Sequence, residues 1–175
     1  MYDKLRLKYK NLRADFCGEI RAKADNEIKR IFLEEYSSFN SFFIYNSFGS
    51  EADTSSIVAA LLAKNKQIYL PKIIDKVMYA APYSKTQKGT FGIEEPISQP
   101  YYGKIDVCVA PLLAVNEHGY RLGYGGGYYD KFLKDKNILK VGLGYSFQIC
   151  SDFENREWDE QLNAFVCEKG VIKFF

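Results

Sequence analysis

The sequence has little of what builds most hydrolytic, redox and metal sites. Its 175 residues include one histidine, one tryptophan, four cysteines and five prolines. The lone His118 has no nucleophile paired with it nearby, which argues against a Ser–His or Cys–His catalytic pair. Cys17, Cys108, Cys150 and Cys167 are widely spaced and form no C-x-x-C pair. A zinc ribbon or a disulfide frame is therefore not expected. The four read as reduced, mostly packed thiols of a cytoplasmic protein. No apolar run approaches the roughly 20 residues that span a bilayer, and the charged N-terminus lacks the apolar stretch of a secretion signal. Neither sign of charge dominates, with 24 Lys and Arg against 22 Asp and Glu. The net charge of +2 provides no broad field for nucleic acid, so any basic site is local.

What is present is a globular composition, 47% apolar and 26% charged, without an internal repeat or a low-complexity linker. The length suits a single domain over residues 1–175. Apolar residues in the first 35 positions recur at helical spacing (Leu5, Leu12, Phe16, Ile20, Ile28, Phe32). They predict one long helix or two packed on one side, with Gly18 as a possible break. Ser41–Asn46 and Gln67–Lys72 read as strands around a helix from Ser55, capped by Asp53 or Thr54. That strand–helix–strand unit predicts a crossover and a largely parallel sheet. Val77–Tyr83, Ile105–Leu113 and Ile138–Ser146 read as further strands, the second apolar enough to be central. Ser84–Tyr102 has turn residues and little periodicity, and reads as a surface excursion. The expected fold is α/β, three layers with a mostly parallel central sheet flanked by helices, behind an N-terminal long helix or helix pair.

The most unusual stretch is RLGYGGGYYDKFL, Arg121–Leu133, with four glycines in five residues (Gly123, Gly125, Gly126, Gly127). A glycine loop between a strand and a short helix presents bare backbone N–H groups and a helix N-terminus to an anion. Such ligands bind beyond the carboxyl ends of the strands. No G-K-[ST] follows, so this is not a Walker A loop, and the spacing makes no G-x-G-x-x-G dinucleotide fingerprint. A tight packing turn would also need glycines. Arg121 before the loop and Asp130 after it supply a planar cation and a hard-oxygen ligand, which together suit a nucleoside triphosphate. If the backbone angles are compatible, a methyl group added at Gly125 or Gly127 should harm catalysis before it harms folding.

The stretch APLLAVNEHGYRLGYGGGYYDKFL, Ala110–Leu133, resembles the signature P-x-x-x-[FV]-D-x-x-G-x-R-L-G-x-G-x-G-[YF]-Y-D-[RK] of the 5-formyltetrahydrofolate cyclo-ligase family, also called 5,10-methenyltetrahydrofolate synthetase. SFGSEADT (Ser47–Thr54), FGIEEP (Phe91–Pro96), GLGYSFQIC (Gly142–Cys150) and the final VC pair are similar to other family segments, in the same order. The resemblance covers essentially the whole chain. It implies an ATP- and Mg²⁺-dependent ring closure of 5-formyltetrahydrofolate to 5,10-methenyltetrahydrofolate through an N5-imino phosphate, with ADP and phosphate released.

On that resemblance Arg6, Arg121, Gly123, Tyr124, Gly125, Gly126, Gly127, Tyr128 and Tyr129 bind ATP. The loop from Tyr124 to Tyr128 also faces folate, with Asn46 and Glu51 as further substrate contacts. Arg121, Tyr128 and Lys131 are the catalytic candidates. Asp130 and Asp159 are the Mg²⁺ candidates. Arg6 fits the family's K-x-x-L-R, whose lysine position falls on Tyr2, so Lys4 is the candidate replacement for ATP binding. Asn116 stands at the family's usual Asp, and Trp158 at the usual His before Asp159. Arg13 lies on the face of Arg6 and has an open role. Phe91, Tyr145 and Phe147 are candidates to stack on the pterin or aminobenzoate ring. The expected partners are 5-formyltetrahydrofolate and ATP, with no nucleic acid and no membrane, and the chain is expected to be a monomer or weak homodimer. Two other readings stay open: a phosphate- or CoA-substrate isomerase or transferase on a similar sheet, and a folate- or nucleotide-binding module without turnover.

Overall fold

The N-terminal periodicity resolves into two helices rather than one. The computed structural model describes residues 1–174. Helix α1 is Tyr2–Asp15 and α2 is Gly18–Tyr36, broken at Phe16–Cys17, where Gly18 takes a φ of +68°. The break resets the helical phase. In α2 the buried residues are Ala24, Ile28, Phe32 and Tyr36, each four after the last. In α1 they are Tyr9 and Arg13. Leu12 and Ile20, expected on the packed side, are exposed.

The remaining elements follow in chain order: β1 (Ser41–Ile44), α3 (Ser55–Ala63), β2 (Gln67–Ile74), β3 (Val77–Pro82), β4 (Thr86–Lys88), β5 (Glu94–Pro96), β6 (Val107–Ala110), β7 (Ala114–Val115), β8 (Arg121–Leu122), α4 (Tyr128–Leu133), β9 (Leu139–Leu143), β10 (Ala164–Cys167) and β11 (Gly170–Lys173). Seven strands form one sheet in the order β11-β10-β9-β6-β1-β2-β3. The five inner strands are parallel, and β3 and β11 close the edges antiparallel. The segment 84–102, read as a surface excursion with little periodicity, contains the β4–β5 hairpin. It is tied down by the buried Glu95 carboxylate, which accepts the Ile73 N–H at 3.1 Å.

Side chains alternate across the central strands. Phe42, Ile44, Val107 and Val109 point to the layer of α2 and α3. Phe43 and Cys108 point to the other face, where Leu133 of α4 covers them. Parallel strands buried on both faces must be continuously apolar, and FFI and VCVA are. Three of the four thiols, Cys108, Cys150 and Cys167, are buried.

The connections leave β1 in opposite directions. The chain runs from β1 through α3 to β2 on one side, then returns to β6 and moves through α4 to β9 on the other. Right-handed crossovers therefore put α3 and α4 on opposite faces. Between β1 and β6 the order reverses. The loops leaving the carboxyl ends of these two strands diverge, which opens a crevice at that point. No helix among the described residues is long and apolar enough to cross a membrane.

Candidate functional site

A cavity of about 810 Å³ occupies that crevice. The loop after β1 supplies Asn46 and Glu51. The chain after β6 supplies Pro111, and then Arg121 with the loop Gly123–Gly127. Helix α1 lies along one side and contributes Arg6, Lys10 and Arg13.

The glycine loop does not leave β6 directly. The β7–β8 ribbon intervenes, turned by Asn116, whose Oδ1 accepts the N–H groups of His118 and Tyr120 at 3.1 and 3.0 Å. Asn116 is thus a buried turn residue needing no charge. Gln148 anchors the preceding chain, donating to the carbonyls of Leu112 and Leu113 at 3.0 Å each. Gly125 has φ +102° and Gly127, the residue before α4, has φ +69°. Alanine is strained at both angles, so the expectation that a methyl group there would spare folding does not hold. The close approaches are elsewhere in the loop. A Cβ at Gly123 would meet Arg121 Nη1 at 2.9 Å, and one at Gly126 would meet the Tyr128 ring at 2.8 Å.

Two arginines border the loop. Arg6 donates from Nε to the Gly123 carbonyl at 2.9 Å and pairs with Asp3 at 2.8 Å. Arg121 is buried, with Nη2 3.2 Å from Asp130 Oδ2 and its guanidinium 5.2 Å from the Tyr129 ring centroid. Its Nε is a buried donor without a partner, a costly condition by about 1–3 kcal/mol. Asp130 also accepts the Glu160 N–H at 3.2 Å. Asp159 accepts the Arg156 N–H at 2.7 Å, and both carboxylates line the cavity.

Arg13, whose role was open, connects the walls. It donates to Ser50 Oγ at 3.2 Å, to the Leu112 carbonyl at 3.1 Å and to the Tyr124 hydroxyl at 2.9 Å. Tyr124 in turn donates to Glu51 Oε1 at 2.7 Å, and the Phe48 N–H donates to Oε2 at 2.9 Å. An ionised carboxylate has about four acceptor sites, so two remain free. Burial pushes the Glu51 carboxyl above its ordinary value. The hydrogen bonds from Tyr124 and Phe48 and the charge of Arg13 offset only part of that rise.

Not every sequence candidate reaches the cavity. Lys4 is exposed and stands outside it, two residues and about 200° round the helix from Arg6. Lys10, one turn beyond Arg6, lines the cavity instead, its ammonium 5.9 Å from the Tyr124 ring centroid. Lys131 lines a second, smaller cavity of about 520 Å³ and not this one, and Tyr128 borders both. Of the candidate aromatics, Phe91 is at the mouth, with a left-handed φ of +63°. Tyr145 and Phe147 pack against Phe16 in the core. Asp53 serves as a helix cap, its carboxylate accepting the N–H groups of Ser55 and Ser56 at 3.1 and 3.2 Å.

The arrangement suits an anion on the glycine loop and a hydrogen-bond donor on Glu51, within one cavity. A model of the 5-formyltetrahydrofolate cyclo-ligase family matches residues 2–168. The 5-formyltetrahydrofolate cyclo-ligase of Haemophilus influenzae is 27% identical over 90% of this chain and 92% of its own length. That of Escherichia coli is 30% identical over 73% of this chain and 78% of its own. Among solved structures, a 5,10-methenyltetrahydrofolate synthetase of Aquifex aeolicus superposes with a TM-score of 0.88 at 28% identity, covering 98% of this chain and 92% of that one. A 5,10-methenyltetrahydrofolate synthetase from Mycoplasma pneumoniae shares the fold, with a TM-score of 0.78 at 23% identity over 95% of this chain and 98% of that one.

The raised Glu51 pKa has a consequence for stability. The folded chain keeps that proton to higher pH than the unfolded one. The contribution of Glu51 is therefore fully present below the unfolded pKa and declines as pH rises through the folded one. Urea unfolding between about pH 4 and about pH 7 should show a steeper decline for the wild type than for Glu51→Gln. Parallel curves would mean that Glu51 is as solvated in the fold as out of it.

Proposed function

The chain belongs to the 5-formyltetrahydrofolate cyclo-ligase family, and we propose that it closes the folate ring by phosphoryl transfer from ATP. The observation that carries this reading is the glycine loop Gly123–Gly127, open to the cavity and flanked by Arg6 and Arg121, with Glu51 facing the same cavity. The orphaned Arg121 Nε supports it further, because a phosphate oxygen would supply the missing acceptor.

In this reading Glu51, with its two free acceptor sites, receives hydrogen bonds from the amino-pyrimidinone edge of the pterin, and Asn46 lies near by. The formyl oxygen then lies against the γ-phosphate on the loop. An amide-like oxygen is a weak nucleophile, so positioning and charge neutralisation do most of the work. Arg6, Arg121 and the loop N–H groups hold the phosphates as the formyl oxygen forms a bond to phosphorus and ADP leaves. N10 then attacks the activated carbon and loses its proton. The carbon–oxygen bond breaks, phosphate departs, and the methenyl bridge joins N5 to N10. Tyr124 and Tyr128 close the site around the acceptor. Asp130 and Asp159 fit a nucleotide-bound Mg²⁺. No group of three or more His, Cys, Asp or Glu is placed to cage a metal among the described residues, but this ion typically needs only one or two carboxylates beside phosphate and water oxygens. The ion would supply additional positive charge to the transferring phosphoryl group. The reading includes a cytoplasmic location.

Purified protein with 5-formyltetrahydrofolate and MgATP should generate the near-ultraviolet absorbance of methenyltetrahydrofolate. Chelating divalent metal should abolish that signal, and an unchanged rate would refute phosphoryl transfer. In binding titrations Glu51→Gln should weaken folate by about 1.5–3 kcal/mol, the scale of one charge-assisted hydrogen bond, and leave the nucleotide unaffected. Equal weakening of both ligands would make Glu51 a general structural residue.

A further inference from the structure

Three side chains at one end of the cavity have no part in the steps above. Tyr2, Arg156 and Trp158 all line it. The Arg156 guanidinium lies 4.2 Å from the Tyr2 ring centroid and 5.8 Å from that of Trp158. The group is held from behind. The Tyr2 hydroxyl donates to the Glu154 carbonyl at 2.9 Å, and the Arg156 N–H donates to Asp159 at 2.7 Å. Trp158 is the only tryptophan in the chain and is 65% exposed. A large apolar ring left in water at a cavity wall, beside a planar cation, is an unfilled stacking surface.

Its place in the fold says what would fill it. The segment carrying Arg156 and Trp158 runs between β9 and β10, on one side of β6. Glu51, Pro71 and Ile73 come from or follow β1 and β2, on the other side. The glycine loop and Arg6 line the same cavity, and Asp159 directly follows Trp158. A ligand with its phosphates on the loop and its terminal phosphate toward Glu51 would point its remaining end at these rings.

We propose that Tyr2, Arg156 and Trp158 form the platform for the base of the nucleotide, with the base stacked on Trp158. This rests on the phosphoryl-transfer reading and deepens it. The platform offers rings and a charge, and the Tyr2 hydroxyl is already engaged, so it selects by stacking area. Purine nucleotides should bind better than pyrimidine ones, with modest discrimination between purines.

As the only tryptophan, Trp158 reports its own contact. The full chain is titrated with MgATP, and separately with Mg-tripolyphosphate, by tryptophan emission and by calorimetry. ATP should quench the emission along its calorimetric isotherm, and tripolyphosphate should bind without quenching. Trp158→Ala should lose about ten-fold in ATP affinity and Trp158→Phe only about two- to three-fold, given the usual strength of base–aromatic stacking. Tripolyphosphate affinity should be the same in all three proteins. ATP binding with no change in emission would overturn the platform and leave phosphoryl transfer standing. So would a Trp158→Ala loss that is equal for ATP and tripolyphosphate. If neither ligand binds the wild type, the phosphoryl-transfer reading fails and the platform fails with it.

Discussion

One buried guanidinium holds the cavity together. Arg13 is 5% exposed and bonds to three segments that lie 37, 99 and 111 residues away. They are the loop carrying Glu51, the chain leaving β6 and the glycine loop. A buried charge is tolerated only when it is paired or hydrogen-bonded, and each of the three guanidinium nitrogens makes one of these bonds. The Tyr124 hydroxyl passes the connection on to Glu51, so the candidate folate carboxylate and the candidate phosphate loop are fixed relative to each other. With α1 docked through Arg13, Arg6, two turns earlier on the same face of the helix, comes within 2.9 Å of the Gly123 carbonyl.

The sheet determines why these segments meet at all. Chain order reverses between β1 and β6, so their loops part at the carboxyl edge and leave room for a ligand. The cavity is lined more by backbone and cations than by nucleophiles. The one histidine is on an exposed turn, with a side chain 69% exposed. That inventory suits chemistry in which positions and charges matter and no covalent enzyme intermediate is needed.

Much of this could be read from the residues in order. The apolar runs around Phe43 and Cys108 marked inner parallel strands, and the cluster Gly123–Gly127 between Arg121 and Asp130 marked the candidate anion loop that lines the cavity. Lys4 and Lys10 could not be sorted in that way. A helix pattern yields faces but not which face meets a cavity, and the phase became clear only once Tyr9 and Arg13 were seen to be buried. Arg6 to Lys10 is a single i, i+4 step, the one signal in the sequence that links them. The β4–β5 and β7–β8 ribbons have strands of two or three residues, too short for a period of two to register. Tyr145 and Phe147 look no different from Phe91 in sequence. Only packing against Phe16 separates core rings from a ring at the cavity mouth.

The central claim is that the cavity brings the formyl oxygen of folate to the terminal phosphate of ATP. The direct measurement follows that oxygen. Substrate carrying ¹⁸O in the formyl group is converted with MgATP, and the released phosphate is analysed by mass spectrometry. The account predicts one ¹⁸O atom in the phosphate at each turnover, because the oxygen that attacks phosphorus is the oxygen that leaves carbon. Unlabelled phosphate, with the label lost to water, would contradict it.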